Sequence, residues 1–130
     1  MLKLTYCLTR RSDLTREAFQ TYWRETHAPL VHAAAAALGI RRYVQSHTAD
    51  TPLDAPVRES RGLDPADYDG VAELWYDSID ALVAATQTEE GARHGAILAE
   101  DEANFIDFSK SRLFFGAENV VVGAAIDEHN

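Results

Sequence analysis

The feature that most constrains the fold is the order in which two hydrophobic periods follow one another along the chain. Leu2, Leu4, Tyr6 and Leu8 alternate with other side chains, which is the period-2 pattern of a β-strand. Two regions with helical spacing and three further strand-like runs follow, giving the order βαββαβ. This order predicts an α+β, ferredoxin-like protomer, in which an antiparallel four-stranded sheet carries its helices on one face. The predicted strands are 2–9, 40–47, 70–76 and one within 111–124. The predicted helical regions are 15–38 and 80–105, the second in two pieces at 80–85 and 89–105.

The first helical region contains a proline that is expected to interrupt it. Pro29 has no N–H to donate and disfavours helical geometry at Ala28, so the helix should stop or kink around 26–28. A second helix can restart at the proline and end at Gly39. Thr15 is suited to cap the start of the region, because its hydroxyl can accept a hydrogen bond from the first helical turn.

The size of the chain predicts one domain over residues 1–130. Its 130 residues are 46% hydrophobic, which is enough for a single buried core. Within it, Ala49 to Tyr68 holds three prolines among charged and small residues and shows neither period, so a long surface loop is expected at about 49–68.

Charge and cysteine content narrow the possible partners and the setting. A net charge of −9 disfavours nucleic acid and anionic membrane surfaces as partners, and no window approaches the roughly 20 apolar residues of a membrane span. Cys7 is the only cysteine, which excludes an intramolecular disulfide. The first residues lack a signal-peptide pattern, so a cytoplasmic location is expected.

The strand periods assign side chains to two faces of the sheet. The more apolar face should lie under the helices, and the other face is rich in aromatic and polar groups, which is typical of a cleft. A second copy packed sheet to sheet would cover this second face and predicts a homodimer with a pocket in each half. The predicted helix side carries Leu2, Leu4, Tyr6, Leu8, Val44, Ala72, Leu74 and Tyr76, and the predicted cleft side carries Thr5, Cys7, Tyr43, Gln45, His47, Glu73 and Trp75.

Three side chains are candidates for acid–base chemistry, each with a structural alternative. His27 can exchange protons near neutral pH, or it can bond carbonyls freed at the helix break. Tyr43 can donate to an oxyanion, or it can be a packing tyrosine. Glu73, in the middle of an apolar strand, is either an acid or base or a structural partner of an arginine, the candidates being Arg41, Arg42 and Arg112.

Further residues are candidates for binding rather than catalysis. Gln45 and His47 can bind a carbonyl or hydroxyl, although His47 near the strand end can also be plain surface. The acidic run from Glu100 to Asp107 is expected to be a solvated helix face in which only Phe105 is buried. His27 and His32 are five residues apart, which does not place them on one helix face, so no metal site is expected. The sequence has no glycine-rich phosphate-binding motif, so no nucleotide or flavin cofactor is expected either.

The ordered set of these segments resembles the EthD family of small dimeric α/β-barrel proteins. The resemblance rests on KLTYCLTRR, on LTREAFQTYWRETHAPLV with its phenylalanine, tryptophan and histidine, on RRYVQSH with its tyrosine, and on YDGVAELWYDS and EDEANFIDFSKS. It extends over nearly the whole chain, from Leu2 to about Val121. It implies a ferredoxin-like protomer that pairs sheet to sheet and works without metal or organic cofactor.

The resemblance also implies a class of reaction. Relatives include lactone isomerases and the dehydratases, cyclases or decarboxylases of aromatic polyketide routes, and related barrels include cofactor-free monooxygenases of phenols. The family's histidine falls on His27 and its tyrosine on Tyr43, whereas a third-strand cysteine used by some lactone isomerases is replaced by Leu74, which puts that mechanism in doubt here.

The first hypothesis is therefore a lyase or isomerase for an aromatic, polyketide-like or lactone substrate, with catalytic His27, Tyr43 and Glu73. Its predicted substrate-binding residues are Tyr6, Cys7, Gln45, His47, Trp75 and Phe105. The alternatives are a cofactor-free oxidoreductase and a non-catalytic binding or accessory protein for a hydrophobic metabolite.

Overall fold

The computed structural model describes residues 1–124 and contains one four-stranded antiparallel sheet. The strands lie side by side in the order β2-β3-β1-β4, so the first and third strands are central. With the element order βαββαβ, this arrangement confirms the ferredoxin-like α+β prediction. Residues 125–130 of the predicted domain lie outside the described residues. The strands are β1 (Leu2–Leu8), β2 (Arg42–His47), β3 (Gly70–Tyr76) and β4 (Arg112–Ala117).

Helices connect the strands, and most begin or end at residues suited to those positions. The Thr15 hydroxyl accepts a hydrogen bond from the Ala18 N–H, which confirms the predicted cap. Gly39 has a φ of 70°, the left-handed conformation that suits a residue directly after a helix. The helices are α1 (Arg16–Tyr22), α2 (Ala28–Leu38), α3 (Asp54–Glu59), α4 (Ile79–Thr86) and α5 (Glu89–Glu102).

The helix was predicted to stop or kink around 26–28, and it does not stop there. Residues Trp23–His27 form a π-helical turn that joins α1 to α2 without interruption. The Ala28 N–H donates to the Trp23 carbonyl five residues earlier, so the turn takes in one more residue than an α-helical turn. Pro29 then stands in the first turn of α2, where a missing N–H costs little.

The segment predicted as a loop at 49–68 contains the short helix α3. Pro56 lies in the first turn of this helix, where proline is tolerated. The helix is almost wholly exposed, so its sequence shows no hydrophobic period. The prediction of a segment without helix was therefore wrong, whereas its position at the surface was right.

The core lies between the sheet and the helices. Phe19 and Trp23 from the first helical region pack against Leu8 of β1, Ala72 of β3 and Phe105 after α5. Phe19 and Phe105 are completely buried, and their ring centroids are 5.4 Å apart.

The faces predicted for β2 are reversed in the structure. Tyr43 pairs with Leu74 and Gln45 with Ala72, so the aromatic and polar side of β2 lies under the helices, whereas Val44 shares the open face with Glu73. Polar side chains can be buried there because they find hydrogen-bond partners. We call the two sides of the sheet the helix face, which carries Tyr6, Leu74 and Tyr43, and the open face, which carries Thr5, Val44 and Glu73.

Candidate functional site

A cavity of about 260 Å³ lies between the helix face of the sheet and the helices. Its volume is close to the lower end of the roughly 300–1,000 Å³ that is usual for small-molecule sites. Aliphatic and aromatic side chains form most of its wall, and five ionisable side chains also line it: Tyr6, His27, Tyr43, Tyr76 and Glu102. An apolar cavity with a few convergent polar groups is the usual form of a binding site for a small hydrophobic molecule.

His27 reaches this cavity from the end of the π-helical turn and is oriented by Asp101. The residue is 6% exposed, and the centroids of its ring and of the Phe105 ring are 5.0 Å apart. Its Nδ1 lies 2.7 Å from Oδ2 of Asp101 on α5. Because a carboxylate accepts only from a protonated nitrogen, the contact favours the tautomer with the proton on Nδ1 and leaves Nε2 able to accept one.

The Asp101 carboxylate accepts hydrogen bonds from two other side chains besides His27. Its Oδ1 accepts from the Tyr22 hydroxyl at 2.6 Å and from Asn104 Nδ2 at 3.3 Å. Burial raises the pKa of Asp101, but the hydrogen bonds from Tyr22 and His27 outweigh it, so the net pKa lies below its ordinary value. The group facing His27 is therefore a carboxylate at neutral pH, which stabilises an imidazolium formed during proton transfer.

Tyr43 enters the cavity from β2 and receives two hydrogen bonds. Trp23 Nε1 donates to its hydroxyl oxygen at 3.2 Å and Gln45 Nε2 donates to it at 3.0 Å. Both partners are donors, so the hydroxyl proton of Tyr43 is directed to another acceptor such as a ligand oxygen. Burial raises the pKa of Tyr43, while these two donors act in the opposite direction. The arrangement suits a hydrogen-bond donor to a developing negative charge.

Gln45 and His47 support Tyr43 instead of lining the cavity. Gln45 Nε2 also donates to the Trp23 carbonyl at 3.1 Å, which fixes the amide so that its oxygen faces His47 Nε2 at 2.9 Å. His47 therefore carries its proton on Nε2, and burial lowers the pKa of this ring. Both residues were predicted to bind substrate, and the structure places them behind the tyrosine.

Cys7, Glu73 and Trp75 were predicted to share a face with Tyr43, and they do not. All three point to the open face of the sheet, because the register pairs Cys7 with Val71 and Glu73 with Val44. They are therefore separated by the sheet from a ligand held in the cavity.

Glu73 and Trp75 have structural partners on the open face. Glu73 forms an ion pair with Lys3, not with one of the predicted arginines, and Trp75 Nε1 donates to Glu118 at 2.6 Å. Lys3 and Arg42 lie over the Trp75 ring. These contacts favour a structural role for Glu73, as an ion-pair partner, over a role as an acid or base.

Two residues of the candidate site were not predicted, because the acidic run was interpreted as a solvated helix face. Asp101 binds His27, and Glu102 lines the cavity. The signal was the helical spacing of Leu98, Glu102 and Phe105 at i, i+4 and i+7, which puts the glutamate on the apolar stripe of α5. Predicted residues His27, Tyr43, Tyr6 and Phe105 are brought together in the cavity.

A larger depression of about 890 Å³ lies where β1 ends and β3 and β4 begin, but it is open and polar. Its central carboxylate, Asp69, is 1% exposed and accepts hydrogen bonds from the guanidinium groups of Arg10 and Arg16 at 2.6 and 2.9 Å. These groups satisfy one another and hold β1 to the start of α1. We therefore take the smaller apolar cavity as the candidate site.

Among residues 1–124, no set of three or more histidine, cysteine, aspartate or glutamate side chains is grouped to hold a metal ion. In the same range, none of the helices has the length and apolar character needed to span a bilayer.

Comparison with known proteins identifies relatives along most of the chain. A protein of Claviceps purpurea named decarboxylase is 28% identical, with 96% of this chain and 89% of that protein covered. The conidial pigment biosynthesis dehydratase EthD of Metarhizium robertsii is 25% identical, with 89% of this chain and 81% of that protein covered.

The fold and the family are shown by two further findings. The crystal structure of an EthD family protein from Bacillus halodurans superimposes with a TM-score of 0.61 at 24% identity, covering 92% of this chain and 99% of that one. The family model of the EthD domain matches residues 11–109, about three quarters of the chain, which include His27, Tyr43, Asp101 and Glu102. The chain therefore belongs to the EthD domain family.

Proposed function

We propose that the protein is a cofactor-independent lyase or isomerase that moves a proton on a small aromatic or polyketide-like carbonyl compound. The observation that carries the proposal is the pairing of His27 with Asp101 on one wall of an apolar cavity that also receives the Tyr43 hydroxyl. A base held in one tautomer and a directed proton donor are the two groups that enolisation of a carbonyl compound requires.

In the proposed reaction, His27 Nε2 removes a proton from the carbon next to a carbonyl group. The electron pair moves into the C–C bond as the carbonyl oxygen gains negative charge, and Tyr43 donates a hydrogen bond to that oxygen. Asp101 stabilises the imidazolium that results. The enclosure of the cavity by apolar side chains strengthens each of these interactions by excluding water.

The relatives' names support this reaction class. One is named a decarboxylase and one a dehydratase, and both reactions can proceed through an enolate of the kind described. The names favour a lyase over oxidation, and the oxidation alternative predicts oxygen uptake during turnover. A non-catalytic binding protein is the remaining alternative, and it predicts binding without conversion.

We also propose that two copies pair through the open face of the sheet, in the cytoplasm. Phe114 of β4 is 57% exposed on this face, beside Thr5 of β1 in the register. Phe114, Val44 and Val71 give the open face an apolar strip that a second copy can cover. The cavity opens on the opposite side of the sheet, so each protomer would keep its own site.

Hydrogen–deuterium exchange tests the proposed enolisation directly. The probe is 2-tetralone, a bicyclic ketone with an acidic C–H next to its carbonyl, followed by NMR in deuterated buffer at neutral pH. We expect the wild type to accelerate exchange, and His27→Ala to lose about 100-fold or more of that rate. His32→Ala is the matched control, because His32 is exposed on the neighbouring helix α2.

The outcomes separate the three alternatives. Wild-type exchange equal to that in buffer, or equal to that of His27→Ala, contradicts the proposal. Oxygen consumption in step with substrate loss indicates the oxidase. Saturable binding of the ketone without exchange indicates the binding protein.

A further inference from the structure

The cavity contains a carboxyl group that the enolisation mechanism leaves unused. Glu102 lines the cavity from the last turn of α5, one residue beyond the aspartate that orients His27. The carboxyl interacts electrostatically with Tyr6, Tyr43 and His27, the groups that reach the cavity from β1, β2 and the π-helical turn. It therefore lies within the electrostatic reach of three of the other four ionisable groups that line the cavity.

The surroundings of Glu102 favour its protonated form. Burial among apolar side chains raises the pKa of Glu102, and the charge of neighbouring Asp101 raises it further. A hydrogen bond from Tyr6 and the charge of His27 act in the opposite direction but are outweighed. Tyr76 of β3, the remaining ionisable group of the cavity, has its own pKa raised by burial to about 12 and stays neutral.

The pKa values of the two neighbouring acidic residues, Asp101 and Glu102, are therefore shifted in opposite directions. Asp101 has a lowered pKa and is held as a carboxylate by Tyr22 and His27, whereas Glu102 has a raised pKa in the apolar cavity. Two ionisable groups whose environments separate their pKa values are the usual arrangement of a base system and an acid in one site.

We propose that Glu102 is a second catalytic residue, a general acid that protonates the departing hydroxyl group of an uncharged β-hydroxy carbonyl substrate. This inference rests on the proposed function, in which His27 forms the enolate. When the enolate collapses, the C–O bond breaks, a C=C bond forms, and the leaving oxygen takes the Glu102 proton to depart as water. The proton held by His27 then returns to Glu102 directly or through solvent, so that each cycle releases one water and restores both groups.

The charge of the cavity supports dehydration over decarboxylation. Within residues 1–124, no lysine or arginine lines the cavity. A substrate carboxylate would therefore lose its hydration near the Asp101 carboxylate without gaining a lysine or arginine partner, which is costly. A neutral hydroxylated ketone avoids this cost and can use the acid.

Infrared spectroscopy tests the protonation without any substrate. As the pH is raised above 4.5, the ordinary pKa of a glutamate, the wild type should keep a carbonyl band of a protonated carboxyl group that Glu102→Gln lacks. Glu100→Gln is the matched control, because Glu100 is an exposed glutamate on the same helix and its variant should keep the band. Identical spectra of wild type and Glu102→Gln overturn the inference.

A pair of probes that differ only in the leaving group tests the catalytic role. 3-Hydroxy-1-tetralone loses water to give fluorescent 1-naphthol, and 3-fluoro-1-tetralone gives the same product by loss of fluoride, which needs less help from an acid. We expect Glu102→Gln to lose about 100-fold of the rate with the hydroxy probe and less than about tenfold with the fluoro probe. His27→Ala should lose both rates.

The outcomes separate this inference from the proposed function. Exchange of 2-tetralone that persists in Glu102→Gln, together with loss of dehydration alone, supports a separate acid. Equal losses with both leaving groups, or no loss with either, overturn the role of Glu102 while leaving His27 as the base. If Glu102→Gln unfolds, Tyr6→Phe replaces it: loss of the hydrogen bond should raise the pKa of Glu102, so the infrared band should persist to a higher pH than in the wild type, and an unchanged midpoint of the band overturns the inference.

Discussion

Replacement of Asp101 by asparagine is predicted to reverse the tautomer of His27. In the wild type, Oδ1 of Asp101 accepts from Tyr22 and Asn104, while Oδ2 faces Nδ1 of His27. An asparagine at this position would keep its oxygen toward the two donors and turn its NH₂ group toward His27 Nδ1. The imidazole would then have to accept at Nδ1 and carry its proton on Nε2, the nitrogen that must act as the base.

The size of the effect follows from the loss of the base and of its counter-charge. General base catalysis contributes about 10²–10⁴-fold, so we expect Asp101→Asn to lose at least about 100-fold of the exchange rate of 2-tetralone. The loss of stability should be smaller. The His27 and Asp101 side chains are 7% and 12% exposed, and a lost charge-assisted hydrogen bond of this kind costs about 1.5–3 kcal/mol.

The dependence of stability on pH gives an independent check. A carboxyl group with a lowered pKa stabilises the folded state above its unfolded-state value, 3.8 for Asp101, and this contribution is lost as the pH falls through the folded-state value. The asparagine variant should therefore be less stable than the wild type from pH 7 to about pH 4, and the difference should shrink below about pH 4.

The assay combines NMR exchange rates with urea unfolding at several pH values. Glu100→Gln, an exposed change one residue away, should behave as wild type in both measurements. If Asp101→Asn folds and exchanges the probe at the wild-type rate, the carboxylate does not set the tautomer of His27, and the reasoning is refuted.

Three further predictions concern packing and assembly. Tyr43→Phe removes the acceptor of Trp23 Nε1 and should lower the free energy of unfolding in urea by about 1–3 kcal/mol; no change would show that the indole finds another acceptor. Asp69→Asn should cost about 1–3 kcal/mol in the same assay, because the side chain is 1% exposed, loses the charge that pairs with Arg10 and Arg16, and can no longer accept from the Arg10 backbone N–H at its second oxygen; a neutral effect would contradict that network. Phe114→Glu should shift the protein from dimer to monomer in sedimentation, whereas Val83→Glu, an exposed change on α4, should not; a Phe114→Glu dimer would reject the open face as the interface.

The fold could be predicted because its signals are local and repeated. The alternation from Leu2 to Leu8 and the cap at Thr15 each follow from a few neighbouring residues. They agree with the order of the elements, and that agreement selects a single topology. Helix α3 was not predicted because none of its residues is buried, so its sequence has no hydrophobic period.

The faces of β2 could not be predicted because the deciding interactions are not local. Taken alone, Tyr43, Gln45 and His47 form the more polar side of the strand, which predicts exposure or a wet cleft. In the structure this side is buried because the Trp23 carbonyl and indole, 20 residues or more away, supply hydrogen bonds to Gln45 and Tyr43. The periodicity of a sequence indicates how hydrophobic each face of a strand is. It does not indicate whether the polar side chains of a face have hydrogen-bond partners elsewhere in the fold.

The π-helical turn explains how one helical region can serve both the core and the site. Phe19, Trp23, His27 and Val31 are all buried and are spaced by four residues. An α-helix turns about 100° per residue, so each step of four overshoots a full turn by about 40°, and the three steps would drift by about 120°. The wider turn over Trp23–His27 removes part of this overshoot, which keeps His27 on the same side as Phe19 and Trp23. The histidine therefore reaches the cavity because the helix is underwound at this point, and Pro29 can follow because it falls within the first turn of α2.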